Sequence, residues 1–340
     1  MKLTKKIALI VFVLVVIGAI VFYMQYRQVL DYAKHPTNLV QDKIFTVPAG
    51  TGRVALENLL VKEQLIDENH NFQLLLKLRP ELAQFKAGTY RLQPNMTIEE
   101  LLLLIASGKE AQFSIRFIEG NRLSDWSNIL RDAPYMEHKT QDATPTELYT
   151  MLDFKEGDNL EGWLYPDTYL YTAGTSDVEI LKRAYKRMKT TLDEEWKGRD
   201  KDLPYKNAYE MLIMASIIEK ETGVENERSQ VASVFVNRLK KNMRLQTDPT
   251  VIYGLGDKYR GKIYRSDLDN HTPYNTYKID GLPPTPIAMP GLASIKAAAH
   301  PAKTDYLYFV ADGTGGHTFS RNLNDHNRAV KVYRQIEQQN

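Results

Sequence analysis

The longest apolar run opens the chain. Ile7 to Met24 is almost pure Ile, Val, Leu, Phe and Ala. At 1.5 Å rise per residue such a helix spans about 27 Å, close to the hydrocarbon thickness of a bilayer. Lys2, Lys5 and Lys6 precede it, and Tyr23 and Tyr26 stand where an aromatic belt would lie. The run is longer than a signal-peptide core, and no small-x-small cleavage site follows it. The pattern therefore predicts an uncleaved anchor over 7–24 after a cytoplasmic tail, 1–6, with the rest of the chain across the membrane. Gln25 to Asp42, with Pro36, reads as a polar linker.

From Lys43 the periods are those of a small folded unit. Ile44 to Val47 alternates like a strand, and Pro48 to Gly52 is a turn. Val54, Leu56, Leu59 and Leu60 mark a short amphipathic helix, and Phe72 to Leu78 a second, stopped by Pro80. Ala87 to Leu92 returns as a strand. Thr97 caps a last helix with Glu100 at capping-box spacing, and Gly108 ends it. Phe113 to Gly120 and then Leu123 to Leu130 repeat the strand, glycine turn and helix order of Phe45 to Leu60.

The remainder is richer in helix. Asp177 to Trp196 carries Ile180, Leu181, Ala184, Tyr185, Met188 and Leu192 on one face. Met211 to Thr222, MLIMASIIEKET, is apolar nearly all round and belongs in a core. A further helix spans about Glu227 to Lys241. Beyond Met243 the pattern dissolves into Pro-rich loops, a kind of segment that more often lines a site than connects elements. Leu292 to Ala299 is again helical. Tyr306 to Val310 and His317 to Phe319 read as a hairpin, and His326 opens a final helix to about Gln335. The whole predicts an α+β chain: anchor, linker 25–42, a small module over 43–110 and a mixed α+β catalytic domain over 111–340.

Composition narrows the chemistry. A length of 340 residues suits about two or three domains. The net charge of +2 gives no footprint for nucleic acid. Cysteine is absent, which excludes disulfides, thiolate zinc sites and cysteine nucleophiles. The seven histidines show no metal spacing and read as structural or peripheral. There is no G-x-S-x-G, Walker loop or H-E-x-x-H, and Gly50-Thr51-Gly52 is not a dinucleotide fingerprint. The 20 tyrosines suit stacking on polar rings such as sugars, and equally suit an ordinary core.

One carboxylate stands out. Glu219 follows two isoleucines and lies above Ala215, Ser216 and Leu212 on the helix, so burial is expected to raise its pKa, as a general acid requires. The plain alternative is a core helix surfacing at its end. Glu221, two residues on, points to another face and is not its partner; a second acid would come from Glu161, Asp167 or Asp248. Without one, a single carboxyl must act as acid and then as base. Leu160 to Tyr169 gathers two acids, a Trp and two Tyr around Gly and Pro, either presented to a groove or plugging the core.

These residues carry a resemblance. EGWLYPDTY (Glu161 to Tyr169), MASIIEKET (Met214 to Thr222), LQTDPTVIYG (Leu245 to Gly254), YNTY (Tyr274 to Tyr277), GLPP (Gly281 to Pro284), KAAAHP (Lys296 to Pro301) and YLYFVADGTGGHTF (Tyr306 to Phe319) together resemble the MltG (YceG-like) endolytic murein transglycosylases. Where that family's GLPPGPI-type stretch has Gly, this chain has Thr285. The resemblance covers nearly the whole chain. It implies a LysM-like module before the catalytic domain, an inner-membrane location with the catalytic domain periplasmic, and a catalytic Glu in IIEKE that falls on Glu219. It implies non-hydrolytic cleavage of glycan strands to 1,6-anhydro ends, terminating strand growth, with no cofactor and no metal. Glu161, Tyr165, Asp167, Gln246, Asp248, Tyr274 and Asn275 are the candidates for substrate binding; peptidoglycan, the inner membrane and cell-wall synthases are the implied partners. A hydrolytic muramidase using Asp167 or Asp248 as base, and a non-catalytic glycan-binding scaffold, stand as the other readings.

Overall fold

A computed structural model describes residues 2–338, so the expected tail begins at Met1, outside the described residues. The chain divides into two compact units, Met1–Phe113 and Ser114–Asn340.

In the first unit, helix α1 runs over Lys2–Ala33, and Lys6–Ala33 is long and apolar enough to cross a membrane. The helix continues well into the stretch whose polarity predicted a linker. The reason is a second apolar stripe: Val29, Tyr32 and Ala33 are buried against the module's core, and no breaker appears before Pro36. Strand β1 (Lys43–Val47) leads to α2 (Arg53–Lys62) and α3 (Asn71–Leu78). Strand β2 (Gly88–Leu92) pairs antiparallel with β1, with Phe45 opposite Tyr90. Helix α4 (Ile98–Ser107) starts on the predicted Thr97–Glu100 capping box and ends on Gly108 at φ 71°. Leu56, Leu60, Phe72, Leu75, Leu76, Tyr90, Leu101, Leu102 and Ile105 close the core beneath the two strands.

The second unit starts with β3 (Phe113–Arg116), α5 (Leu123–Arg131) and α6 (Pro145–Leu152); β3 is joined to β4 (Thr168–Tyr171) in a two-stranded sheet. The strand, turn and helix order of the first unit recurs here. Four helices follow: α7 (Asp177–Gly198), α8 (Ala208–Glu221), α9 (Arg228–Lys240) and α10 (Asp248–Leu255). The last of these was legible only as a short apolar segment. Short α11 (Arg265–Asp269) and α12 (Leu292–Ala299) complete the loop-rich part. Strands β5 (Tyr308–Ala311) and β6 (His317–Ser320) form the hairpin, Phe309 opposite Phe319, and α13 (Leu323–Glu337) packs on it.

Helix α8 is the axis of this unit, with α7, α9, α10 and α12 around it. Every residue from Met211 to Ile218 is buried. Ala297, Ala298 and Ala299 on α12 keep that helix close to it, and the Ser216 hydroxyl accepts the Ile287 N–H at 3.0 Å. The aromatic patch of Leu160 to Tyr169 plugs the core: Trp163 stacks on Tyr209 and Tyr169 is buried.

Candidate active site

The last turn of α8 separates its two glutamates by about 200° around the helix axis. Glu219 turns towards the segment after β3. Its Oε2 accepts the Gly291 N–H at 3.0 Å at the start of α12, and it stays partly exposed. Glu119 approaches the same point: a Cβ on Gly291 would lie 1.9 Å from Glu119 Oε1. Burial, and then the charge of Glu219, raise the Glu119 pKa. Met289 clips this corner through its backbone, exchanging hydrogen bonds with Gly120 (2.9 Å) and Asn121 (2.8 Å). Two carboxylates at a helix N-terminus are favourably placed against its dipole, and the Glu219 bond ties the end of α8 to the start of α12.

Glu221 faces the other way, into a cavity of about 520 Å³ walled by α9, α10, β5 and the start of α13. Arg238, Gln246, Thr247, Asp248, Tyr277, Tyr308, Phe309 and His326 line it with Glu221. Glu221 keeps partial exposure to this space, yet the protein packed around its carboxyl pushes the pKa up to about 7, and Asp248 adds to the rise. Both glutamates keep partial exposure at the end of an apolar helix; what differs is which elements lie over them, α9, α10, β5 and α13 around Glu221, and the segment after β3 with the start of α12 beside Glu219.

The cavity's groups are held from behind. Thr247 Oγ1 donates to Glu221 Oε1. Thr247 is fixed by two buried threonines: its N–H donates to Thr276 Oγ1 at 3.0 Å, and its carbonyl accepts from Thr250 Oγ1 at 2.7 Å. Gln246 sits at φ 51°, a left-handed conformation that costs a non-glycine residue about 1–2 kcal/mol. Two contacts hold it there. Its N–H donates to the Thr276 carbonyl at 3.2 Å, and its side-chain carbonyl accepts from Arg238 Nη1 at 3.3 Å. The buried Arg238 also donates to the carbonyls of Leu245 and Leu307, and burial lowers its pKa. Asp248 accepts the Tyr277 hydroxyl at 2.7 Å.

Of the sequence candidates, the cavity thus brings together Gln246 and Asp248. The others lie elsewhere. Asn275 is fully buried; its amide donates to the carbonyls of Asp267, Leu268 and Asn270 and its oxygen accepts the Tyr277 N–H, so it shapes the loop that carries Tyr277. Tyr274 bonds Thr285 at 2.9 Å and leans on Tyr253, whose hydroxyl donates to Glu161 at 3.2 Å. Glu161 also accepts the Leu123 N–H at 3.0 Å, and burial pushes it to about 7. Tyr165 is buried under the guanidinium of Arg187, which pairs with Asp167. None of these five lines the Glu221 cavity. Sequence reasoning missed Thr247, Arg238 and Tyr277; the motifs QTDPT and YNTY contained two of them, and Arg238 lies on α9 with no motif to mark it.

A cluster of His, Cys, Asp and Glu able to hold a metal ion is not found among the described residues. A family model described as YceG-like matches residues 45–332. An endolytic murein transglycosylase of Bacillus subtilis is 33% identical over 303 residues, covering 84% of this chain and 83% of the relative. One from Streptococcus pneumoniae serotype 2 is 30% identical over 352 residues, covering 91% of this chain and 61% of the relative, so the chain spans less than two thirds of that protein. The crystal structure of a yceG-like protein from Listeria monocytogenes superposes with a TM-score of 0.52 at 30% identity, over 85% of this chain and 99% of that one.

Proposed function

The chain belongs to the YceG-like family, and from that premise we propose that it is a membrane-anchored endolytic transglycosylase of peptidoglycan, with Glu221 as its acid and base. The observation that carries the reading is Glu221 itself: a carboxyl raised to about 7, bonded by Thr247, in the cavity it shares with Gln246 and Asp248. A group with that pKa holds its proton near neutral pH and still releases it, as a general acid must.

In this mechanism protonated Glu221 donates to the glycosidic oxygen between N-acetylmuramic acid and N-acetylglucosamine. The bond from the anomeric carbon breaks and positive charge develops on the sugar ring. The Glu221 carboxylate then takes the proton of the muramoyl 6-hydroxyl, whose oxygen closes on the anomeric carbon as a 1,6-anhydro ring. The proton balance on Glu221 is restored without water, so one carboxyl suffices. Gln246 lines the cavity with an amide that can donate to the glycan, and Tyr277, Tyr308 and Phe309 supply ring surface for a sugar face. Helix α1 serves as the single-pass anchor, with the catalytic unit periplasmic. The β1–β2 unit serves as a LysM-like module that positions the glycan, and cleavage within strands ends their elongation, in the company of cell-wall synthases.

Asp248, in the same cavity, is the one observation that favours a hydrolytic muramidase. Mass analysis of products from purified glycan strands separates the two. Anhydro ends support the transglycosylase reading, and reducing ends overturn it.

A further inference from the structure

Helix α1 carries a second cavity where its apolar run ends. Tyr23, Arg27, Asp31 and His35 stand four residues apart and share one stripe of the helix. With Asn69 and Asn71 at the start of α3, the stripe lines a cavity of about 600 Å³. Both sides belong to one core: Val29, Tyr32 and Ala33 of α1 are buried in the cluster that Phe72 and Leu75 of α3 also enter. Asn69 Oδ1 accepts the Asn71 N–H at 3.0 Å, which fixes the asparagine side. Tyr32 and Asn71 line the cavity from buried positions, and the Tyr32 hydroxyl and Asn71 Oδ1 have no hydrogen-bond partner. An amide oxygen can only accept, so this wall favours a ligand that brings N–H donors. Arg27 and Asp31 are exposed, and neither forms an ion pair among the described residues.

We propose that this cavity binds a zwitterionic membrane-lipid headgroup, a phosphate ester carrying a primary ammonium, with the phosphate on Arg27 and the ammonium on Asp31. The proposal rests on the reading of α1 as a membrane anchor. The apolar run ends at Met24. Arg27 lies about 4–5 Å further along the helix axis, and Asp31 about 10 Å further. The polar layer of a bilayer is about 5–8 Å deep on each side. Arg27 therefore stands within that layer and Asp31 at its outer edge. A phospholipid presents acyl chain, phosphate and ammonium in the order in which α1 presents Met24, Arg27 and Asp31. The guanidinium fork suits a phosphate, and Tyr23, one turn below it, stands at the hydrocarbon boundary, where an amphipathic ring is favourable. A purely anionic headgroup would satisfy Arg27 and meet an opposing charge at Asp31. A soluble ester would gain nothing from Tyr23 and Met24, which line the membrane end of the cavity. The bound headgroup fixes the depth and rotation of α1 and, through Val29, Tyr32 and Ala33, of the unit whose core that helix enters.

The test uses the full-length chain. Flotation with phosphatidylglycerol vesicles first asks whether it embeds in a bilayer; a chain left at the bottom of the gradient overturns the anchor reading and this proposal together. On the chain purified in detergent, native mass spectrometry then reads the retention of phosphatidylethanolamine and phosphatidylglycerol with identical acyl chains. Phosphatidylethanolamine should be held about fivefold more tightly, the worth of one charge contact near a membrane surface. Asp31→Asn should erase that preference, and Arg27→Gln should weaken both lipids about fivefold. Both side chains are exposed, so neither change disturbs the core, and Lys34→Gln, on the same helix but outside the cavity, should change nothing. Glycerophosphoethanolamine, the same headgroup without acyl chains, should fail to displace the lipid at equal concentration; displacement would assign the site to a soluble ester and overturn the membrane assignment. For a chain that floats, equal retention of the two lipids, a preference that survives Asp31→Asn, or unchanged retention by Arg27→Gln overturns the proposal and leaves the anchor standing.

Discussion

Glu219 and Glu221 leave the same turn of α8 on opposite faces: Glu219 accepts the Gly291 N–H at the head of α12, and Glu221 accepts the Thr247 hydroxyl at the floor of the cavity. One ties two helices together and the other faces the cavity proposed to hold the substrate, so exchanging each for glutamine should have different consequences.

Glu221→Gln keeps size and a hydrogen-bonding group but cannot pass a proton. Losing both acid and base should reduce turnover by at least about 10²–10⁴-fold with the fold intact, since a neutral amide replaces a carboxyl held neutral. Glu219→Gln should keep turnover within about tenfold and lower the melting temperature, because the charge-assisted bond to Gly291 weakens by about 1 kcal/mol. Anhydro-end formation and thermal unfolding measured on both proteins check this; a dead Glu219→Gln beside an active Glu221→Gln would reverse the assignment.

Activity and stability should both fall as pH rises through neutrality. Glu161 and Glu221 have folded pKa values of about 7 against an ordinary 4.5. Each binds its proton more tightly folded than unfolded. Their contribution to stability is therefore complete below about 4.5 and is lost as pH climbs through about 7. For Glu161 the cause is burial, only partly offset by the bonds from Leu123 and Tyr253. Glu161→Gln, which stays neutral, should show a shallower decline of melting temperature from pH 5 to 8. A decline as steep as that of the unmodified protein would contradict the assignment.

Thr247→Val removes the hydroxyl that donates to Glu221 and preserves shape. The lost bond should cost about 1–2 kcal/mol in the charged state of Glu221, a fall in turnover of about tenfold, with the alkaline limb moving to higher pH. Thr247→Ser should recover most of the activity. Equal kinetics for the valine and serine variants would show that the hydroxyl does not act on the acid.

A chain starting at Gln25 keeps Val29, Tyr32 and Ala33, which are buried in the first unit's core. It should be soluble without detergent and still cleave glycan. A chain starting at Lys34 lacks that face and should lose about 3 kcal/mol of the first unit's stability. Denaturant unfolding of the two proteins, followed by a probe in the first unit, reads the difference; equal midpoints would show that the helix end contributes nothing to the core.

Local patterning alone carried much of the fold. Ile7 to Met24 is apolar enough to name its helix, Thr97 and Glu100 fix a capping box between neighbours three residues apart, and the 3.6-residue stripe of Asp177 to Trp196 can face only a core. Hairpin β5–β6 was legible because its turn residues and its alternation lie within a few positions of each other. The motifs MASIIEKET and LQTDPT fall at the end of α8 and the start of α10, which meet at the cavity. What the pattern could not decide was which glutamate of IIEKE faces the cavity. Glu219 has Ala215 and Ser216, and Glu221 has Ile217 and Ile218, four and three positions before it, and a carboxyl's environment depends as much on what other elements lay over it. Thr247 and Asp248 on one side, and Glu119 with Gly291 on the other, come from segments 26 to 100 residues away in sequence, and only the packing of α10 and α12 around α8 assigns them to opposite faces. The same holds for Asn275 and Arg238: their residue types suggest contact with a ligand or with solvent, and the tertiary structure spends both on backbone carbonyls, because a buried loop must satisfy its polar groups internally.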